Sequence, residues 1–293
     1  VELADTAAAT PDELKKAAKW YQHVVTKFGA SASVAEPGEE HDKALQPIAQ
    51  EVINAFTASV GTLLALRQGA GACLLKELRD AGGQLAEAVD ALGAAVGTPN
   101  MAVCAGKALD RGAHLERMPA HNRAAIRRRF LESLGQLGDA SRELQEVLRK
   151  DPCADDDDDD KSLGGFSDEL EPAERQIVEA VVALIAALES ALKQALEVCL
   201  PRASEATTTL AQLEAAAEQS QSAANGVDGL AAHAVGGLDA DAFTQSLAEL
   251  RTAIAFLGHP VSTATVARDL EQALQAVQVA LDLAREEDRL RAD

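Results

Sequence analysis

The sequence predicts an all-α protein built as two antiparallel helical bundles joined through an acidic loop, and three observations carry that reading. Hydrophobic residues make up 47% of the 293-residue chain but aromatics only 3%. Much of the apolar content is alanine, the best helix former, while the strand-favouring aromatics are scarce. The second observation is a repeat of three- and four-residue steps, clearest in Ile126, Phe130, Leu134, Leu137, Ser141, Leu144 and Leu148. Such steps hold side chains on one helix face, because a turn takes about 3.6 residues. The third is punctuation: Asp151-Pro152 ends that stripe, and Asp155 to Asp160, Lys161 and Ser162-Leu163-Gly164-Gly165-Phe166 separate it from a second one. Proline donates no N–H and disfavours helix in the residue before it.

Taken in order, Thr10-Pro11-Asp12-Glu13 reads as a cap, a proline at the first helical position and acids that suit the helix dipole. That helix is expected to run past Trp20 and Phe28 to Gly29, with a small-residue loop from Ser31 to Gly38. The next spans His41 to Arg67 with Leu45, Ile48, Val52, Phe56, Leu63 and Leu66 inward, and Pro47 falls early enough to be tolerated. After Gly69 and Gly71, Leu74, Leu78, Leu85, Val89 and Leu92 mark a helix to about Val96, and a shorter one follows from Met101 to Leu115. The long helix begins near Asn122. Beyond the acidic loop, Ser167 or Asp168 is the expected cap of a helix carrying Ile177, Val181, Leu184, Leu188, Leu192, Ala195 and Cys199. An alanine-rich helix with Ala206, Leu210, Leu213 and Ala217 is expected to fray near Asn225-Gly226, leaving a glycine-rich loop over 226–240. Asp239 or Asp241 then caps a helix with Phe243, Leu247, Leu250, Ile254 and Leu257. Ser262 or Thr263 caps the last one, with Val266, Leu270, Leu274, Val277 and Leu281 inward.

The predicted domains are therefore an N-terminal bundle over 1–152, an acidic loop over 153–166 and a C-terminal bundle over 167–293. Charge divides unevenly between them. Residues 1–152 hold 18 basic and 20 acidic groups, whereas 153–293 hold 9 and 27, within a total net charge of −20. So acidic a surface repels phosphate backbones and anionic lipid, which argues against direct nucleic-acid or membrane partners. Cys73, Cys104, Cys153 and Cys199 form no CxxC pair, and Val1–Thr10 carries no secretory signal. With no apolar run of membrane length, they read as reduced thiols of a cytoplasmic and nuclear protein.

The search for chemistry returns no catalytic, cofactor-binding or metal-ligating residue. The histidines (His23, His41, His114, His121, His233 and His259) supply no metal site through a carboxylate at i and i+4, and HExxH is missing. No GxxxxGK[ST] loop, GxSxG elbow or GxGxxG turn occurs. Gly61, Gly69, Gly71, Gly82 and Gly83 fall in helical sequence and are read as places of close helix approach or bending. One basic cluster stands out, Arg117, Arg123, Arg127, Arg128 and Arg129, with His114 and His121 nearby. It reads as a solvated face, with a sharper alternative in which Asp155 to Asp160 fold back onto it.

Several of these stretches resemble the cyclin-D-binding protein family, also called Grap-and-cyclin-D-interacting or Maid-like proteins. The resemblance lies in the helix from Asn122-Arg123-Ala124-Ala125 to Leu148 and Asp151-Pro152, the acidic loop, Leu163-Gly164-Gly165-Phe166 and the acidic-start helix to Cys199. Gln46 to Val96, with Ala55-Phe56 and Leu85 to Leu92, is similar to the family's first helical half. The resemblance implies a two-domain helical protein without enzymatic activity. It would bind D-type cyclins or helix-loop-helix transcription factors and so restrain cell-cycle progression or transcription. The other reading of the same helices is a structural adaptor of the vinculin or talin-rod kind.

Overall fold

The computed structural model describes residues 11–34, 38–149, 170–199, 209–235, 239–257 and 264–292, and every regular element among them is helical. In chain order these are α1 (Pro11–Val34), α2 (Glu39–Leu66), α3 (Ala72–Ala94), α4 (Met101–Glu116), α5 (Asn122–Arg149), α6 (Pro172–Gln194), α7 (Leu210–Val235), α8 (Ala240–Leu257) and α9 (Ala264–Ala292). A π-helical turn, Ala195–Cys199, continues α6. The fold is all-α.

Two compact units divide the chain between Ile126 and Arg127, inside α5. The expectation placed that whole helix with the first domain and the boundary near 152. Periodicity marks a helix but cannot say which bundle its stripe meets. The acidic segment 153–166, the Leu163–Phe166 motif and the expected caps Ser167, Asp168, Ser262 and Thr263 lie outside the described residues.

In the first unit, α1 packs against α2 and α4, and α3 against α4 and α2. Leu14, Ala18, Tyr21, Val25, Leu66, Leu85, Ala108 and Leu115 form its core, each almost fully removed from water. At roughly 1.5–3 kcal/mol for each large aliphatic or aromatic side chain buried, this core is the dominant stabilising contribution. α1 does not stop at Gly29 but continues to Val34. The reason is tertiary: a Cβ built on Gly29 would sit 2.8 Å from the Ala105 Cβ, so this glycine lets α1 and α4 approach. Gly112 of α4 does the same against Tyr21 and Gln22 of α1. By contrast Gly61 and Gly83, read from sequence as close-approach sites, face open space, and Gly82 meets only Leu63 at ordinary contact distance. Gly69 has φ 76°, a left-handed conformation that closes the α2–α3 turn.

Asn122, the first residue of α5, is buried and clips that turn. Its Oδ1 accepts from the Gly71 N–H at 2.7 Å, and its Nδ2 donates to the Gly69 carbonyl at 3.0 Å. His121 caps the same helix, its Nδ1 accepting from the Ala124 N–H at 3.1 Å. The sequence marked Asn122 as the start of a helix and His121 as a histidine near the basic cluster.

In the second unit, α7 pairs with α8, α6 with α9, and α6 also meets α7. The buried face of α5 reads Phe130, Ser133, Leu137, Ala140 and Leu144, while Leu134, Ser141 and Leu148 are only half-buried. The expected stripe drifted because it followed the bulky residues, whereas Ser133 and Ala140 hold the register. Ser133 meets Ser220 of α7 through a buried Oγ–Oγ hydrogen bond of 3.1 Å. α6 opens at Pro172, preceded by Glu171 in an extended conformation, and Glu174 accepts from the Glu171 N–H at 2.9 Å. Proline at the first helical position keeps the residue before it out of the helix, so the cap is Glu171.

The largest correction falls on α7. It runs unbroken through Asn225-Gly226 to Val235, where a fray and a loop were expected. A Cβ on Gly226 would lie 3.3 Å from Leu250 Cβ, and one on Gly229 would lie 3.2 Å from Ser246 Oγ, both on α8. Here the glycines are contact points between two helices, and close packing outweighs the roughly 1 kcal/mol that each costs in a helix. Asp239, one of the two expected caps, is the one used: its Oδ1 accepts from the N–H groups of Asp241 and Ala242.

Candidate interaction surface

The face of α5 spanning Gln136 to Val147 lies beside the C-terminal turns of α7, and the two helices enclose a trough of about 790 Å³ open to solvent. Asp139, Glu143 and Glu146 follow one another at four- and three-residue steps, so they stand along one rim beside the face that buries Leu137 and Leu144. Asp228 faces them from α7. Ala140, Leu144 and Val147 from α5, with Ala231, Ala232 and Val235 from α7, provide the apolar floor. Alanines at 231 and 232 are what leave the trough empty, since no long side chain fills the space.

Two polar contacts organise it. Gln221 donates to Gln136 at 2.6 Å and bridges α7 to α5 at one end. Arg142 pairs with Asp139 at 2.6 Å along α5, leaving Glu143, Glu146 and Asp228 as carboxylates of like sign. Partial withdrawal from water raises the Asp228 carboxyl above its ordinary value, and Glu143 and Asp139 raise it further. The described residues that line it include no histidine, cysteine, lysine or hydroxyl side chain. Its features are charge and apolar shape.

The basic cluster singled out in the sequence is mostly answered locally. Arg128 and Arg129 both pair with Glu132, at 3.1 and 3.6 Å, and Arg117 Nε donates to the Ala113 carbonyl. Arg127 is exposed. The aspartates proposed to fold onto this cluster lie outside the described residues. Among the described residues no group of three or more histidine, cysteine, aspartate or glutamate side chains could hold a metal ion. Cys73 and Cys104 are half-buried and neither is in a disulfide.

Two further apolar surfaces exist. α2 is long and apolar enough to cross a membrane by length and composition alone, whereas the sequence was expected to hold no apolar run of membrane length. It is a weak signal, since core helices of soluble proteins pass the same test; here Ile53 and Leu64 stay at least half exposed while Val52, Ala55 and Leu63 pack inward. On the second unit, Val279 and Leu283 of α9 border a shallow depression of about 470 Å³ with Gln176 and Ala180 of α6.

No protein-family model matches this chain, and no curated protein matches it. The expected likeness to cyclin-D-binding proteins therefore has no support beyond the residues named for it. Of these, Asn122 to Ala125 form the first turn of α5, and Ala55, Leu85 and Leu92 are core residues of the first unit.

Proposed function

We propose that this chain is a non-catalytic protein-interaction regulator that docks a partner on a bundle surface and thereby blocks the partner's other contacts. The observation that supports this best is the trough between α5 and α7: open, apolar along its floor and edged by carboxylates. A trough of that kind is suited to holding a polypeptide surface, because its apolar floor supplies burial and its charged rim supplies orientation and selectivity. The partner class comes from the resemblance: a D-type cyclin or a helix-loop-helix transcription factor, whose sequestration would restrain cell-cycle progression or transcription. The test is direct binding of the purified full-length chain to a D-type cyclin and to a helix-loop-helix factor, followed by a kinase or DNA-binding assay on the partner. Binding with loss of the partner's activity is the expected result. Binding to neither, with only cytoskeletal proteins recovered from lysate, would overturn the reading in favour of a structural adaptor.

A further inference from the structure

Resting on that reading, we infer that the α5–α7 trough is the docking site itself, and that its occupant is a basic amphipathic helix from another protein. Three arguments converge on that occupant. The first is shape. The α5 side runs from Gln136 to Val147, about 17 Å at 1.5 Å per residue, so it offers about three turns of contact. A trough between two helices takes a third helix along its length, as bundle packing does throughout this unit. The floor then asks for aliphatic side chains at successive three- and four-residue steps, placed over Leu144, Val147, Ala231, Ala232 and Val235.

The second argument is charge. Glu143, Glu146 and Asp228 have no cation among the residues lining the trough, and Arg142 engages only Asp139. Partial burial raises the Asp228 carboxyl first, and the neighbouring charges of Glu143 and Asp139 raise it further, a repulsion that lysines or arginines beside the floor would relieve. The third argument removes the occupants closer to hand. The segment after α5 carries Asp155 to Asp160, residues 1–10 contain Glu2 and Asp5 with no cation, and residues 200–208 hold Arg202 against Glu205. None of these is a basic sequence. A second copy is opposed by like charge, since residues 153–293 carry 27 acidic against 9 basic groups.

The experiment uses full-length protein and a fluorescein-labelled leucine–lysine peptide of about 14 residues, its leucines on one helical face, titrated by fluorescence anisotropy. Three comparisons separate docking from general attraction to an acidic protein. Glu143→Gln with Asp228→Asn should weaken binding about five- to tenfold, whereas Glu286→Gln with Glu287→Gln, an equal charge change on α9, should leave it within twofold. Ala232→Leu, an exposed position that fills the trough without altering charge, should weaken binding at least as much. The isomeric peptide with leucines and lysines shuffled should bind more weakly and with no difference between variants. Equal weakening by the α9 pair, or no effect of Ala232→Leu, would overturn the assignment of this site. A cyclin or helix-loop-helix partner whose binding survives the trough variants would refute the docking site alone, leaving the proposed regulator in place.

Discussion

Replacing Gly29 by alanine should destabilise the protein, although the same change at Gly106, on the helix that Gly29 meets, should stabilise it. Alanine gains about 1 kcal/mol over glycine in a helix interior through lower backbone entropy loss. At Gly29, however, the new Cβ would lie 2.8 Å from the Ala105 Cβ, against an ordinary carbon–carbon separation of about 3.5–4 Å. Both atoms are fixed to helix backbone and have no rotamer through which to escape, so α1 and α4 must move apart. Overpacking of this kind costs about 1–3 kcal/mol, which leaves a net loss of about 1 kcal/mol. Gly106, next to Ala105 on the same helix, faces open space and supplies the internal control. Gly106→Ala should gain about 1 kcal/mol, so the two substitutions should differ by about 2 kcal/mol with opposite signs. Urea unfolding of the full-length chain, followed by circular dichroism, measures both. Adding Ala105→Gly to Gly29→Ala should restore part of the loss as a favourable coupling between touching sites. If Gly29→Ala stabilises as much as Gly106→Ala, or shows no coupling to Ala105→Gly, the close approach of α1 and α4 is refuted.

Other outcomes follow from single observations. The Tyr21 hydroxyl is buried without a hydrogen-bond partner, so Tyr21→Phe should leave stability unchanged or raise it by about 1 kcal/mol in thermal unfolding. Burial also raises the Tyr21 phenol from 10.0 to about 12, so between those values the unfolded chain ionises before the native one. Stability from this group should fall as pH rises from about 10 to 12, and Tyr21→Phe should remove that part of the slope. Asn122→Ala should cost about 2 kcal/mol by orphaning the Gly71 N–H and the Gly69 carbonyl, with faster amide exchange in the α2–α3 turn. Ser133→Ala and Ser220→Ala should each cost about 1 kcal/mol, and the double variant should cost less than their sum, since the buried pair satisfies itself.

How much was legible in the sequence varies with the kind of feature. Helix starts with a proline and a local cap were readable: Pro11 begins α1, and Asp239 supplies the cap of α8. The bulky part of each stripe was readable too, as with Ile177, Val181, Leu184 and Leu188 of α6, all fully buried. Small residues misled. Gly29, Gly226 and Gly229 read as breaks because glycine weakens an isolated helix, yet each sits where another helix comes close. Ser133 and Ala140 were passed over on α5 because neither advertises burial. Pairing Ser133 with Ser220 requires knowing that residues 87 apart meet.

The candidate trough was less legible still. Asp139, Glu143 and Glu146 could have been noticed as a rim at helical spacing, but Asp228 lay in a stretch expected to be loop. Local chemistry alone determined that the chain forms helices, where most of them start and which large side chains turn inward, because propensity, capping and periodicity act over a few residues. The tertiary structure alone decided which helices touch, that α5 leaves the first unit for the second, and that alanines opposite a carboxylate row make an open trough. Those outcomes depend on side chains far apart in the chain competing for the same space, and no short window of sequence records that competition.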